Sequence, residues 1–454
     1  MKKIKKLLML LLCAAVLAAG VCPLDLAPAA ASAELKITGS SGIIYCSDTN
    51  EVIWEKNADS KLEPASMTKL MTALLVAENL SLDQEVTVTA EAAVMPETKI
   101  YLKEGEKITV ENLLYGLLLE SGNDAAVALA IAAAGSVEAF AAMMNERAAE
   151  LGCTATHFVN PNGLRAEEHY STAEDMVLIA REALDNETVR KIAGTAEYTI
   201  PATNMSEERK LATTNFFLTG IDKEIDGKKI KVDKYEGVFG GKTGYVGENK
   251  ASMVTGLDVD GLEVYCLVMG SESAITRYSD IKAMMDYGKA NVSKYTVFVK
   301  DDAFGEVKLR GGADNRVTAV AADDGFINLP EGVSASLVTT ECVFTDNLTA
   351  PVEKGQRIGV VHIYVADELK STIDLLAAEN IEEGWFLSPY GISNLQTVII
   401  GIVLGLLLIA LIAIMTLRIS NKRKQARIRK RKLEEEARKQ LAREEDRKRR
   451  DWRF

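Results

Sequence analysis

A serine and a lysine stand three residues apart at the start of an apolar, helix-forming stretch. Ser66 and Lys69 lie in the sequence PASMTK at residues 64–69. Because one helical turn brings positions i and i+3 onto the same face, the Lys69 amine can reach the Ser66 hydroxyl. A lysine that takes the hydroxyl proton would make this serine a nucleophile. The spacing alone also fits an ordinary helix start, since Ser279 and Lys282 repeat it elsewhere in the chain.

Two further polar stretches could complete a site of this kind. The tripeptide at residues 121–123, Ser-Gly-Asn, interrupts two apolar helical runs, and polar groups in such a place need partners. Glycines flank Lys242 and Thr243 in a strand-like stretch, where a ligand could approach the backbone closely. Each stretch also has a purely structural interpretation. The first could be a helix break capped by Asp124, and the second could be a bulged edge strand.

In the order S-x-x-K, S-x-N and K-T-G, the three stretches form the signature of serine enzymes that bind penicillin. On these motifs the chain resembles the serine-type D-alanyl-D-alanine carboxypeptidases, the low-molecular-mass penicillin-binding proteins. Further stretches are similar to family sequences, at residues 62–72, 157–164, 169–173 and 350–355. The resemblance covers roughly residues 34–384. It implies a β-lactamase/transpeptidase-like catalytic domain, made of a sheet and a helical block.

The same resemblance implies catalytic roles for residues of the three motifs. Ser66 would be the acylated nucleophile and Lys69 its base, kept neutral by burial and by the nearby Lys242 cation. Backbone N–H groups of Ser66 and Tyr245 would form the oxyanion hole. Ser121 would pass a proton towards the leaving D-alanine amine.

The substrate-binding residues that the resemblance implies are Asn123, Lys242, Thr243, Gly244, Tyr245 and Arg277. Asn123 would hold a peptide amide, and Lys242 with Thr243 would face the terminal carboxylate. Arg277 stands where the family places a carboxylate-recognising arginine, and a guanidinium can bind a carboxylate through two parallel hydrogen bonds. The alternative is that Arg277 pairs with an acidic neighbour such as Asp280.

The histidines and cysteines give no sign of metal or cofactor chemistry. The three histidines are too few and too separated to suggest a zinc site or a Ser-His-Asp triad; they are His157, His169 and His362. The cysteines beyond the N-terminal segment have no metal-binding spacing. We interpret Cys46 and Cys266, in strand-like runs, as unpaired core thiols, although an exported protein permits a disulfide. We predict an enzyme with no metal and no cofactor.

The motifs must be positioned by the elements of residues 34–295. Residues 43–54 look like a hairpin that turns at 48–50, and strand patterns return at 236–243, 251–259 and 262–270. Helical patterns lie between them: a long helix from Ser66, then residues 110–134, 136–151 and 171–184. A capping box from Ser171 to Glu174 opens the last helix. Strands at both ends of a helical block indicate an α+β domain whose sheet is built from both termini.

From residue 296 to about 384 the helical periodicity disappears. Short alternating strands are predicted at 296–299, 316–320, 335–338 and 359–365. We predict a small all-β domain between the catalytic domain and the membrane.

Both ends of the chain carry address signals. Lysines precede an apolar run at residues 7–21, and Ala31-Ser32-Ala33 offers a cleavage site, so residues 1–33 are predicted to be a signal peptide. After a linker at residues 385–397, the charge-free run Val398–Leu417 is long enough to form one transmembrane helix.

The tail at residues 418–454 holds 17 Lys and Arg against 7 Asp and Glu. An excess of basic residues beside a span marks the cytoplasmic side, so the tail is predicted to be inside and the rest outside. The tail could bind anionic lipid or a partner, or it could be a stop-transfer anchor followed by a solvated helix. Trp385, Phe386 and Tyr390 fall where an outer interfacial aromatic belt is expected.

The predicted function is removal of the terminal D-alanine from peptidoglycan stem pentapeptides, with β-lactam antibiotics as acylating inhibitors. The net charge of −12, despite the basic tail, argues against nucleic acid as a partner. The alternatives are a D,D-endopeptidase acting on cross-links, or a non-catalytic penicillin-binding sensor signalling through the tail. A class A β-lactamase is disfavoured because Gly122 replaces the aspartate that is usual in its second motif.

Overall fold

The computed structural model describes residues 35–225, 228–247, 250–330 and 332–451. The predicted signal peptide lies outside the described residues. The chain divides into two compact units. The first comprises the residues up to Thr296 with Phe326–Thr339 and Val365–Lys370, and the second comprises Val297–Gly325, Thr340–Tyr364 and the residues from Ser371 onward.

The described residues form ten α-helices and eighteen strands. The helices are α1 (Lys69–Asn79), α2 (Ala90–Ala93), α3 (Val110–Leu118), α4 (Asn123–Ala134), α5 (Val137–Glu150), α6 (Ala173–Asp185), α7 (Glu187–Ala193), α8 (Phe216–Thr219), α9 (Thr276–Asn291) and α10 (Asn394–Asp451). The strands are β1 (Ser41–Cys46), β2 (Glu51–Lys56), β3 (Glu85–Thr87), β4 (Lys107–Thr109), β5 (Glu197–Ile200), β6 (Arg209–Ala212), β7 (Ile221–Ile225), β8 (Lys228–Val232), β9 (Val238–Val246), β10 (Lys250–Val259), β11 (Leu262–Ser271), β12 (Lys294–Phe298), β13 (Ala303–Lys308), β14 (Arg316–Ala321), β15 (Gly325–Asn328), β16 (Val338–Phe344), β17 (Arg357–Val365) and β18 (Glu368–Ala377).

A five-stranded antiparallel sheet organises the first unit. Its strand order is β2-β1-β11-β10-β9, so the N-terminal hairpin joins the three later strands through the β1–β11 pair. Ile44 lies opposite Cys266 in that pair. The predicted hairpin and the predicted sheet built from both termini are therefore confirmed. Strand β9, which carries the K-T-G motif, lies at one edge of this sheet.

Both faces of this sheet are buried, which explains the nearly unbroken apolar runs of its central strands. Alternate side chains such as Ile43 and Leu267 pack into the core of the helical block that contains α1, α3, α4 and α6. The intervening ones, such as Ile44 and Cys266, pack with Met284 and its neighbours on α9. The sheet is thus held between the helical block on one face and one long helix on the other.

Two predicted helix starts in this unit are wrong in detail. A 3-10 turn, Ala65–Thr68, precedes α1, so the α-helix begins at Lys69 and not at Ser66. The cap of α6 is Thr172, whose hydroxyl accepts from the Asp175 N–H. Ser171 instead pairs through its backbone with Leu62. In each case a local pattern gave the helix correctly and its first residue incorrectly.

The second predicted domain is β-rich, as expected from its sequence. Its main sheet has the order β13-β14-β18-β17-β16. The strand predicted at 335–338 is wrong, because Ala335–Leu337 is a 3-10 turn capped by Ser334 and β16 starts only at Val338. Strand β12 runs across the predicted boundary between residues 295 and 296.

One long helix, α10, ends the described chain. It begins at Asn394, contains the predicted span 398–417 and continues through the basic tail. Of the described residues, those of α10 form a helix long and apolar enough to cross a membrane. The segment 385–393, predicted as part of a linker, is hydrogen-bonded to residues 311–315 and is not a free connection.

Candidate active site

Ser66 lies on a tightly constrained turn at the entrance to α1. The preceding residue, Ala65, has a left-handed backbone with φ of +49°. The turn is pressed against Gly163, whose φ is +78° and where a Cβ would lie 1.9 Å from the Ala65 carbonyl oxygen. Non-glycine residues adopt this backbone conformation only when the surroundings over-determine it. The loop containing Gly163 therefore sets the position of the Ser66 hydroxyl.

Lys69 is fully buried and makes three hydrogen bonds. Its Nζ lies 2.8 Å from Ser66 Oγ, 2.8 Å from Asn123 Oδ1 and 2.7 Å from the carbonyl oxygen of Asn162. Two of these partners are carbonyl oxygens, which can only accept. The third, the Ser66 hydroxyl, can either accept or donate. The geometry thus leaves one of the three positions around the amine open for a proton received from Ser66.

The pKa of Lys69 is lowered well below its usual value, first by burial and then by the charge of Lys242. A neutral amine has two N–H groups and one lone pair. In that form the two N–H groups can donate to Asn123 and Asn162, and the lone pair faces Ser66. This is the arrangement a lysine needs to act as a general base.

The K-T-G motif lies on the edge strand β9, beside the serine turn. A Cβ at Gly244 would be 3.1 Å from the Pro64 carbonyl oxygen, so the strand passes close to the serine turn and a side chain here would be crowded. Lys242 is buried, and its Nζ donates to the Thr243 carbonyl oxygen at 3.0 Å. Burial, followed by the charge of Arg277, lowers the pKa of Lys242 to about 7. Strand β9 therefore places Lys242, a second lysine with a lowered pKa, near Lys69.

Arg277, at the start of α9, joins this edge. Its Nη1 donates to the Gly244 carbonyl oxygen at 3.0 Å, and its Nη2 lies 3.4 Å from the Tyr278 hydroxyl. Its Nε is buried and has no hydrogen-bond partner. The alternative of a pair with Asp280 is not seen, because that carboxylate accepts from Thr38, Gly39 and Ser271. In the described parts of the chain, no carboxylate forms a salt bridge with Arg277.

The S-x-N motif forms the turn between α3 and α4. Ser121 has a left-handed backbone with φ of +59°, and among the described residues its hydroxyl makes no hydrogen bond. Asn123 is buried and uses both ends of its amide within the protein, because Oδ1 accepts from Lys69 and Nδ2 donates to the Pro96 carbonyl oxygen at 2.9 Å. Its predicted role was to hold a substrate amide, and its observed contacts position Lys69. The Tyr245 side chain is 55% exposed beside the motif.

Three residues at the site had no role assigned from the sequence. Asn162 holds Lys69 through its backbone carbonyl, which no side-chain pattern could reveal. Thr214 lies 2.9 Å from the Thr243 hydroxyl. His169 is the third, and its segment had been noted only as a stretch similar to the family.

His169 contacts the serine turn through Thr68. Its Nδ1 accepts from the Val159 N–H at 3.1 Å, and its Nε2 lies 3.0 Å from the Thr68 hydroxyl. Burial, followed by the charge of His157, lowers the pKa of His169 to about 4. The ring is therefore neutral at physiological pH and acts through position, without titrating.

The competing serine–lysine match is a surface feature. Ser279 is exposed on α9, and Lys282 pairs with Asp286 at 2.6 Å on the solvent side. Cys46 and Cys266 are buried free thiols, consistent with their interpretation as core residues, and Cys153 is also buried and free.

The chain is similar to known proteins over most of its length. A family model described as D-alanyl-D-alanine carboxypeptidase matches residues 27–273. Another, described as the C-terminal domain of penicillin-binding protein 5, matches residues 293–383. The chain is 31% identical to D-alanyl-D-alanine carboxypeptidase DacF of Bacillus subtilis, over 79% of this chain and 89% of that protein.

Two further similarities extend the comparison. The chain is 30% identical to D-alanyl-D-alanine carboxypeptidase DacC of Escherichia coli, over 74% of this chain and 83% of that protein. The crystal structure of penicillin binding protein 5 from Haemophilus influenzae superposes with a TM-score of 0.63 at 26% identity, covering 77% of this chain and 98% of the other. These matches confirm the predicted resemblance, fold class and enzyme class. The chain belongs to the D-alanyl-D-alanine carboxypeptidase family of low-molecular-mass penicillin-binding proteins.

Proposed function

We propose that this protein removes the terminal D-alanine from peptidoglycan stem pentapeptides, with Ser66 as the acylated nucleophile. The observation that carries the proposal is the Lys69 amine, which lies 2.8 Å from Ser66 Oγ while two carbonyl oxygens accept its other N–H groups. Burial, followed by the charge of Lys242, lowers the pKa of this amine well below its usual value and so favours the neutral form, whose lone pair can take the serine proton.

Acylation begins when Lys69 takes the Ser66 proton and Oγ attacks the carbonyl carbon between the two D-alanines. The negative charge that develops on the carbonyl oxygen is stabilised by the backbone N–H groups of Ser66 and Tyr245. Lys69 then gives up the proton taken from Ser66, which Ser121 relays to the leaving amine, and the amine departs as free D-alanine. The Ser121 hydroxyl has no partner among the described residues and is free for this relay.

Deacylation repeats the same chemistry with water. Lys69 takes a proton from a water molecule, and the water oxygen attacks the carbonyl carbon of the ester. The proton then passes to Ser66 Oγ as the bond between the acyl carbon and Oγ breaks. A β-lactam acylates Ser66 in the same way, but its ring amine stays attached to the acyl group. The protein is therefore expected to bind penicillins covalently.

The substrate carboxylate is bound at the edge of strand β9. Lys242 and Thr243 supply a cation and a hydroxyl there, and Arg277 supplies a guanidinium whose Nε has no partner. A buried donor without a partner is costly unless a ligand completes it. Recognition of a free terminal carboxylate favours the carboxypeptidase over the endopeptidase.

The catalytic unit is proposed to lie outside the cell, anchored by α10. The charge-free run 398–417 crosses the membrane, and the basic tail that follows lies in the cytoplasm. This topology places the serine site where peptidoglycan is built.

The decisive experiment incubates the purified protein with a pentapeptide ending in D-Ala-D-Ala and measures free D-alanine over many turnovers. Wild-type protein should release it repeatedly, and Ser66→Ala should release none. Ser279→Ala, the matched control at the surface serine–lysine pair, should retain full activity and full labelling by a fluorescent penicillin. A single stoichiometric acylation without release of D-alanine would favour the sensor alternative. Labelling that survives in Ser66→Ala would show that another residue is the nucleophile.

A further inference from the structure

The segment that joins the second unit to helix α10 is folded onto a loop of the same unit. Residues 311–313 exchange four backbone hydrogen bonds with residues 382–394, each 2.8 Å long: Ala313 N–H to Glu382 O, Gly384 N–H to Gly311 O, Gly311 N–H to Ser388 O, and Asn394 N–H to Ala313 O. We refer to loop 311–315 and segment 382–396 together as the clasp.

Side chains extend the clasp into the first turn of α10. Asn315 Nδ2 donates to the Gly391 carbonyl oxygen at 3.0 Å and lies 3.2 Å from Gln396 Oε1. Asn394 Oδ1 accepts from the Trp385 N–H at 2.8 Å. The helix is therefore tied to the β-rich unit on its own N-terminal turn.

The start of α10 is fixed by a reciprocal cap. The Gln396 N–H donates to Ser393 Oγ at 3.2 Å, while the Ser393 N–H donates to Gln396 Oε1 at 3.0 Å. This is the capping box, which satisfies two N-terminal donors at once. Helical order thus begins inside the clasp, and no flexible residue separates the two.

The clasp is also tightly packed. A Cβ at Gly384 would lie 2.2 Å from the Gly312 carbonyl oxygen, and a Cβ at Gly312 would lie 2.5 Å from the Asp314 carbonyl oxygen. The two strands of chain touch backbone to backbone, which restricts relative movement.

Three large aromatic side chains project from this segment into solvent. Trp385 is 55% exposed, Phe386 77% and Tyr390 81%. We call these three residues the collar. Tyrosine and tryptophan are the residue types enriched where a membrane meets water, because each has an apolar ring and a polar group.

The collar lies at the depth where such residues are expected. The backbone of Trp385 is hydrogen-bonded to Asn394, and the apolar run begins four residues after Asn394, at Val398. At about 1.5 Å per helical residue, this separation is roughly 6 Å. The polar layer on one side of a bilayer is of similar thickness, about 5–8 Å, so a span seated at Val398 puts the collar in that layer.

We propose that the collar binds in the headgroup layer of the membrane and that the clasp makes α10 and the β-rich unit one rigid body. This inference rests on the proposed span. The β-rich unit is then held at a fixed distance from the bilayer and in a fixed orientation, because no flexible linker joins it to the span.

The binding is apolar in origin. Glu382 and Glu383 are exposed immediately before the collar, so this surface is not basic. An anionic lipid should not strengthen its attachment, unlike a polybasic segment, which such a lipid attracts.

The test measures the depth of Trp385 in the full chain reconstituted into phosphatidylcholine vesicles. The double variant Trp54→Phe/Trp452→Phe keeps Trp385 as its single tryptophan, whose fluorescence is measured. The reciprocal variant, Trp385→Phe/Trp452→Phe, keeps only Trp54, on strand β2 of the first unit. Lipids brominated near the headgroup end of the acyl chain quench fluorescence at short range. Trp385 quenching is expected to be at least about twice that of Trp54, and stronger for shallow than for deep bromines.

The clasp is tested with Asn315→Ala/Asn394→Ala, and Asp346→Ala, exposed in the same unit, is the matched control. The clasp variant should lose about half or more of the Trp385 quenching while carbonate washing still leaves it in the membrane. The control should behave as the parent, and addition of phosphatidylglycerol should change nothing.

Four outcomes contradict the inference or part of it. If Trp385 is quenched no more than Trp54 in a carbonate-resistant protein, the collar does not bind lipid and the span remains valid. If quenching is unchanged in the clasp variant, the clasp does not position the collar. If phosphatidylglycerol strengthens quenching, the attachment is electrostatic. If carbonate extracts the parent protein, the proposed span itself is wrong.

Discussion

Asn123 holds the residue on which the chemistry depends. Its Oδ1 accepts from Lys69 at 2.8 Å, and burial is the first cause of the lowered Lys69 pKa. Asn123→Asp would place a negative charge against the amine and favour its charged form. The pKa of Lys69 should then rise, and the acidic limb of the acylation rate should move to higher pH by about 1–3 units.

The measurement is the rate of labelling by a fluorescent penicillin as a function of pH. Asn123→Ala is the control, because it removes the acceptor without adding charge and should slow labelling without such an upward shift. An acidic limb that stays in place in Asn123→Asp would show that Lys69 is not the titrating base.

Arg277 has the geometry of a carboxylate receptor whose ligand is not part of the protein. Its Nε is buried without a partner, and Asp280 is fully engaged elsewhere. Arg277→Ala should lower kcat/KM for a D-Ala-D-Ala peptide by roughly 10- to 100-fold, the size expected for the loss of ~1.5–3 kcal/mol of charged hydrogen bonding.

A substrate whose terminal carboxylate is amidated shows whether Arg277 recognises the carboxylate or only supports the fold. Arg277→Ala should affect its hydrolysis much less, since no charge is left to bind. Arg277→Lys keeps the positive charge but loses the planar guanidinium, so its kcat/KM for the D-Ala-D-Ala peptide should lie between those of the wild type and Arg277→Ala. Equal losses on both substrates would mean that Arg277 only supports the fold.

At the scale of elements, the serine turn depends on a glycine in a distant loop. Gly163 and Gly152 both have left-handed backbones, with φ of +78° and +84°. A Cβ at Gly163 would lie 1.9 Å from the Ala65 carbonyl oxygen, whereas at Gly152 it would meet nothing within 4 Å. The two positions therefore share backbone strain and differ in steric overlap.

Gly152→Ala should cost about 1–2 kcal/mol of unfolding free energy, from the left-handed backbone alone. Gly163→Ala should cost more and should also abolish penicillin labelling of Ser66, because the turn must move. Thermal unfolding and labelling of the two purified variants compare these costs directly. Similar stability and undiminished labelling in both would show that the Gly163 contact does not position Ser66.

At the scale of the whole molecule, the distribution of charge predicts the topology. The run Val398–Leu417 has no charge, and the tail beyond it is strongly basic. Protease added to intact protoplasts should digest the catalytic unit and spare an epitope fused after Phe454. Permeabilised cells provide the control, since the epitope should be digested there. Loss of the epitope in intact protoplasts would place the tail outside.

The sequence by itself determined the chemistry and the main outline of the fold. Three short motifs identified the candidate serine and both lysines, because residue type and order carry that information, and the family resemblance that they established added Arg277. Strand and helix patterns predicted the sheet built from both termini, since burial imposes a regular spacing on a chain. The length of the charge-free run Val398–Leu417 predicted the C-terminal helix.

Tertiary structure alone decided how these residues are held. The Asn162 carbonyl that accepts from Lys69 lies 93 positions along the chain, and a backbone group leaves no mark in residue type. Asp280 does not pair with Arg277 because its carboxylate accepts hydrogen bonds from Thr38 and Gly39, which lie more than 240 positions before Asp280 in the chain. The clasp was hidden in the same way, because its hydrogen bonds join a loop near residue 312 to a segment that looks like a linker. Such contacts arise from folding distant segments together, and no local pattern specifies them.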